Sequence, residues 1–128
     1  MLLDTHTLLW FAMDDPRLGP SARAAILAAP RVHYSAVSVS EIMIKHMLGR
    51  IGLPGGVRFP QIFAEMGLSE LPFTARHATA LRDEPVLSRH DPFDRFLLAQ
   101  AAVERIPLVT VDRVLLALGR ADIIDASV

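Results

Sequence analysis

The chain alternates between short apolar runs and stretches with helical spacing of apolar positions, and each run is closed by a polar or breaking residue. Met1-Leu2-Leu3 stops at Asp4 and reads as a buried strand. From Thr5 to Met13, Leu8, Leu9, Phe11 and Ala12 mark a short helix that Asp14-Asp15-Pro16 breaks. Pro20 or Ser21 opens a second helix through Ala28, and Pro30 ends it. Arg31 to Ser35 is a second strand. Ser38-Val39-Ser40-Glu41 has the form of a capping box, so a helix is expected from there to Gly49. Ile51 to Val57 reads as a loop, and Phe59 to Met66 as a short amphipathic helix with Pro60 near its first position. Leu68 to Leu71 is a third strand candidate. Thr74 caps a helix to about Arg82, and a loop then leads to a helix from Asp91 to Arg105. Pro107 to Val111 is a strand, Val114 to Leu118 a short helix, and Ala121 to Ile124 a last edge strand.

Strand and helix therefore take turns along the whole chain. This predicts an α/β fold with a mostly parallel sheet between helical layers, in one domain spanning residues 1–128. In such folds ligands sit in the crevice outside the carboxyl ends of the strands. Asp4 and Asp112 follow the two most strand-like runs, so both are expected to open into that crevice.

Asp91 reads as an N-cap and Pro92 as the first helical residue, which puts Asp94 in the first turn above Leu97, Leu98 and Ala101. A carboxylate heading an apolar stripe is costly unless something positive meets it. Glu41 is a further acid in the same kind of place. Asp4, Glu41, Asp94 and Asp112 are thus candidate ligands for a hard divalent cation, which takes oxygen donors. Each also sits where a helix begins, and acids are ordinary caps there, so spacing alone leaves both readings open.

Composition narrows the field. Of the 128 residues, 52% are hydrophobic, and mean hydropathy is +0.35. No apolar run reaches the ~18 residues of a membrane span, so an apolar surface seeking a partner is the better reading. Without cysteine there is no disulfide and no thiolate metal site. No basic leader precedes Asp4, so a cytoplasmic protein is expected. A net charge of −1 is unlike a protein that holds nucleic acid by counterion release alone, but leaves room for local cations around an acidic pocket. His6, His33, His46, His77 and His90 show no zinc spacing, Pro54-Gly55-Gly56 lacks the features of a phosphate loop, and no nucleophile elbow is present.

Four stretches, in order and spread over nearly the whole chain, resemble PIN-domain ribonucleases, and within them the VapC-type toxins of bacterial toxin–antitoxin pairs. They are Leu2 to Trp10, Ser38 to Ile51 with Glu41-Ile42-Met43-Ile44-Lys45, Asp91-Pro92-Phe93-Asp94-Arg95 with Ala99-Gln100-Ala101, and Leu108 to Asp112. The resemblance implies a three-layer α/β/α PIN fold in which Asp4, Glu41, Asp94 and Asp112 bind Mg²⁺ or Mn²⁺. Thr110, with Thr5, would support them. The implied reaction is hydrolysis of RNA by activated water, leaving a 5′-phosphate and a 3′-hydroxyl. Ser40 stands where relatives often have Trp, and Arg89 where they often have His, with His90 next to it.

The resemblance also implies a VapB-like antitoxin and a homodimer within the toxin–antitoxin complex. Leu8, Leu9, Phe11 and Ala12, and Phe59, Ile62, Phe63 and Met66, are stripes that either bind the antitoxin or pack in the core. Lys45, Arg50, Arg95 and Arg113 are candidate contacts to RNA phosphates. Competing functions are a housekeeping PIN nuclease in RNA processing, a receiver-like signalling module and an inactive scaffold. The receiver needs a lysine late in the chain, whereas Lys45 is the only lysine and lies early in a helix.

Overall fold

A computed structural model describes residues 1–84 and 91–128. Five strands form one sheet in the order β3-β2-β1-β4-β5, every neighbouring pair parallel. They are β1 (Leu2–Leu3), β2 (His33–Ser35), β3 (Ser69–Leu71), β4 (Leu108–Thr110) and β5 (Ile123–Asp125). The helices are α1 (Thr5–Ala12), α2 (Pro20–Ala28), α3 (Ala36–Met47), α4 (Gln61–Glu65), α5 (Ala75–Thr79), α6 (Pro92–Glu104) and α7 (Arg113–Leu116). Each expected strand exists within one or two residues of its place, and the sheet is wholly parallel.

Alternate strand residues serve two cores, as a period of two requires. Leu3, Tyr34 and Val109 pack on one side with Leu8, Ile26, Ile42 and Phe63. Leu2 and Leu108 pack on the other with Leu97, Leu98, Ala101 and Leu115. The sheet is thereby covered on both faces, which explains why β1 and β4 at its centre are buried throughout and lack polar alternation.

The chain winds from β1 outward through β2 to β3, then returns to lay β4 on the free side of β1. That reversal puts the switch point of the sheet between β1 and β4. Parallel crossovers on opposite faces splay apart there and leave a crevice at the strand ends. The pairing Leu3↔Val109 brings the next residues, Asp4 and Thr110, alongside each other, and Asp4 N–H donates to Val109 O at 2.9 Å.

Several helix boundaries differ from expectation. α3 begins at Ala36, directly after β2, and its N-cap is Ser35, whose hydroxyl accepts from Val37 N–H at 3.0 Å. The expected Ser38–Glu41 capping box is therefore interior helix. Ser38 Oγ instead accepts the Thr5 hydroxyl at 2.9 Å. The expected helix over Phe59–Met66 shortens to α4, because Gly56–Arg58 winds into a 3₁₀ turn within the predicted loop and Pro60 becomes the N-cap. Gly55 enters that turn at φ +74, and a Cβ there would lie 2.8 Å from the Ile62 side chain, so glycine suits both the backbone and the space. The helix after Thr74 is α5 followed by a 3₁₀ turn, Ala80–Asp83.

Two polar side chains tie the layers together. Gln100, fully buried in α6, accepts the Ser35 hydroxyl at 2.6 Å and donates to Leu71 O and Pro72 O. His77 caps Thr74 and meets Glu104 at 2.8 Å, which makes it a satisfied histidine, as expected. Two members of the proposed antitoxin stripes, Leu8 and Phe63, are completely buried, and Leu9, Phe11, Ala12, Phe59 and Ile62 pack against the same core. Core packing accounts for Leu8 and Phe63, while the other five are partly buried. The exposed apolar surface lies at Met13, Ile44, Met47 and Leu48, where α1 and α3 end.

Candidate active site

The four acids come from four separate helix starts or faces around the switch point. Asp4 follows β1 and caps α1, its Oδ1 accepting Thr7 N–H at 2.7 Å. Its Oδ2 accepts the Thr110 hydroxyl at 2.5 Å and Val111 N–H at 3.4 Å. Asp4 is 1% exposed, and burial pushes its carboxyl up while these donors pull it down. Asp112 follows β4 and caps α7 through Leu115 N–H at 2.9 Å. Thr110 joins the two, since its Oγ1 donates to Asp4 and accepts Asp112 N–H at 3.0 Å.

Asp94 sits in the first turn of α6, after Asp91 has capped Phe93 N–H at 2.9 Å. Its carboxyl is pushed up to about 7, chiefly by burial, then by the charges of Asp4, Asp112, Asp91 and Glu41. Asp94 therefore lies within electrostatic reach of the other acids. Glu41, buried on α3, is held by Lys45 Nζ at 2.7 Å, one helical turn later. So Asp4 and Asp112 cap helices and Glu41 pairs within its own helix, as the local reading expects.

The donor set fits a hard divalent cation. It is all oxygen, it is more acidic than its few neutralising partners, and one member, Asp94, resists ionisation because it is buried and near other acids. Among the described residues no group of three His, Cys, Asp or Glu side chains is already drawn together as a ligand cage.

A cleft of about 410 Å³ opens over Asp94 and Asp112, walled by His6, Trp10, Arg17, Val111 and Arg113. The PIN domain family model matches residues 1–121. The chain belongs to the PIN domain family. PIN domains are nucleases, and a carboxylate crevice at the strand ends is where such an activity would sit in this fold. No curated protein is similar enough in sequence to be matched. Among solved structures, a toxin–antitoxin complex from Klebsiella pneumoniae contains a chain 16% identical to this PIN domain. The match covers 98% of this chain and 96% of that one, with a TM-score of 0.65. VapBC2 from Rickettsia felis, bound to a DNA fragment of its promoter, is 14% identical over 96% of this chain and 94% of that one, with a TM-score of 0.61. At such identities the likeness is one of fold, and it extends over the whole PIN domain.

The cations expected to meet phosphates are placed unequally around the PIN crevice. Arg113 lines the cleft. Lys45 pairs with Glu41 and lines an adjoining groove rather than the cleft itself. Arg95 lies half-buried on α6, its Nε without a hydrogen-bond partner among the described residues, and Arg50 is exposed beyond α3. Thr5 supports the site at one remove by bracing α1 to α3 through Ser38. Ser40 is exposed on α3 and lines an apolar pocket with Phe73, Phe93 and Phe96, while the departures at Arg89 and His90 lie outside the described residues. Sequence reasoning missed His6, Trp10 and Arg17 as walls of the cleft. His6 and Trp10 share a face of α1 at i and i+4, a spacing that could have flagged them next to Asp4.

Proposed function

We propose that this PIN domain is a divalent-metal-dependent endoribonuclease and the toxin of a VapC-type toxin–antitoxin pair. The observation that carries the reading is the Asp4–Thr110–Asp112 bridge at the switch point, beside the cleft that Asp94 and Asp112 line together. Asp4, Asp94, Asp112 and Glu41 would hold Mg²⁺ or Mn²⁺. When bound, such an ion activates water and neutralises charge on a phosphodiester.

The protein's own residues prepare that chemistry. Thr110 and the Thr7 amide fix both oxygens of Asp4, so its position is set before any ligand arrives. Asp94 must give up a proton to become a ligand, and its partial exposure lets that proton leave to solvent. Lys45 balances Glu41 while the site is empty of positive charge and can turn outward to a phosphate when a cation replaces it. Arg113, on the wall beside Asp112, offers a phosphate fork.

The toxin reading is supported by whole-chain likeness to members of toxin–antitoxin complexes. It is also supported by the exposed apolar ends of α1 and α3, which suit an antitoxin helix. A homodimer within that complex and a cytoplasmic setting belong to the same proposal. No helix among the described residues is long and apolar enough to cross a membrane. The test is cleavage of end-labelled cellular RNA with Mg²⁺, with Mn²⁺ and with EDTA, beside Asp94→Asn. Discrete metal-dependent cuts that vanish in the variant support the assignment. No cuts by the folded, metal-binding protein on any RNA pool would refute it.

A further inference from the structure

Trp10 and Arg17 belong to two spaces at once. Both line the carboxylate cleft, and both also line an adjoining, more apolar groove of about 460 Å³ with Leu9, Met13, Ile51 and Leu53. The two spaces are therefore continuous past the indole. The Arg17 guanidinium lies over that indole, 5.1 Å from the ring centroid.

Asp15 fixes how the guanidinium can be used. Its Oδ1 accepts Arg17 Nε–H at 3.0 Å and its Oδ2 accepts Nη2–H at 2.7 Å. That fork occupies one edge of the plane and cancels its charge locally, so Arg17 is poorly suited to clamp a phosphate. The faces of the plane are a different matter. The guanidinium carbon sits over the Trp10 ring, and the side chain as a whole is 67% exposed, which leaves the group open to solvent on the side away from the indole. The loop carrying it is anchored: Asp15 N–H donates to Trp10 O at 2.8 Å, Arg23 meets Asp14 at 2.8 Å, and Leu18 is buried. Trp10 and Arg17 thus make a two-layer platform held ready beside the acids.

We propose that the outer face of Arg17, backed by Trp10, stacks an unpaired base of single-stranded RNA next to the phosphate presented to Asp94 and Asp112. This rests on the nuclease reading of the cleft. Flat guanidinium and indole surfaces take bases of any identity, with purines offering the larger face. The platform would fix the register of the strand rather than take part in bond breaking.

Trp10 is the only tryptophan, so its fluorescence reports on this place alone. The experiment titrates the full chain in Ca²⁺ with three single-stranded oligoribonucleotides of equal length: oligo-A, oligo-U and one abasic at its central positions. Their integrity is checked on a gel. Oligo-A should quench Trp10 and bind about tenfold more tightly than the abasic strand of equal charge, with oligo-U between them. Arg17→Ala should remove that preference, and Arg17→Lys, which keeps the charge and loses the plane, should remove it equally. Equal affinity for abasic and base-bearing strands, no quenching by any strand, or full rescue by Arg17→Lys would overturn the proposal. Metal-dependent RNA cleavage with no base preference would sink the stacking platform alone. Absence of cleavage and of quenching together would sink the nuclease reading as well.

Discussion

Asp94→Asn should make the metal-free protein more stable at about pH 8 while removing its response to metal. The folded chain holds the Asp94 carboxyl at about 7, against 3.8 when nothing perturbs it. A raised carboxyl pKa means the folded state keeps a proton that the unfolded state has already released. Stability from this group is therefore greatest below about pH 4, declines as pH rises toward 7, and is at its lowest above that. At full strength the penalty would be roughly 4 kcal/mol, taking about 1.36 kcal/mol for each tenfold change in proton affinity. Asp94 keeps some contact with water, and solvent screening reduces the penalty to about 1–2 kcal/mol. The amide has nearly the same shape and no charge, so it removes the penalty without opening a cavity. Thermal melts in EDTA should show Asp94→Asn roughly 3–8 °C above the parent at about pH 8 and near it at about pH 4. Adding millimolar Mg²⁺ or Mn²⁺ at about pH 8 should raise the parent and leave the variant unmoved. The same metal at about pH 5 should do less for the parent, because the proton competes. A variant that melts at or below the parent at both pH values would refute the account of a carboxylate cluster in mutual repulsion.

Three further changes probe the supports of the site. Thr110→Val keeps the shape but leaves Asp4 Oδ2 and Asp112 N–H without their shared partner, so it should cost about 1.5–3 kcal/mol by urea unfolding, with Thr110→Ser near the parent; equal stability of all three would count against the bridge. Ser35→Ala removes the cap of α3 and the donor to Gln100, and should destabilise by about 1–3 kcal/mol; an unchanged denaturation midpoint would contradict that network. Lys45→Ala leaves Glu41 buried without its cation, so the melting temperature in EDTA should fall while the increment on adding Mg²⁺ grows; a smaller increment than the parent's would show that Lys45 helps to hold the metal.

The order of elements was legible because the sheet is buried on both faces. The central strands are then short apolar runs closed by a polar residue, as at Leu2-Leu3-Asp4 and Leu108-Val109-Thr110, whereas His33-Tyr34-Ser35 and Ser69-Glu70-Leu71 are more polar and were marked by the breaks around them. The start of α6 was legible for a local reason too, since Asp91-Pro92 carries its own cap and first turn. The start of α3 was not. Ser35 and Ser38 can each cap, and the choice is made by tertiary contacts: Ser35 faces Gln100 from α6, while Ser38 receives Thr5 from α1. The amphipathic stripes stayed ambiguous for a related reason. Periodicity says which face is apolar, but not whether core or partner covers it, and Leu8 and Phe63 went to the core.

The site divides the same way. Asp4, Asp94 and Asp112 stand at chain positions that the topology of a parallel sheet alone brings to one crevice, so a reader of strands and caps finds them. Thr110 lies beside Asp4 because β1 and β4 pair in register, which is a fact of the sheet and not of either segment. Trp10 and Arg17 are harder still. Arg17 reaches back over α1 only because Asp15, Arg23 and Leu18 anchor the loop between α1 and α2, and no spacing rule covers a loop cation folded onto a helix aromatic. The positions of the acids are thus set by the connectivity of the fold, whereas the cleft wall depends on how one loop is tied down. On that argument, loop substitutions between Met13 and Gly19 should alter which RNA is chosen, and substitutions at the strand ends should decide whether any is cut. Cleavage maps of Arg17→Ala and Asp112→Asn on the same RNA pool would separate the two, and loss of all cutting in Arg17→Ala would show the division to be wrong.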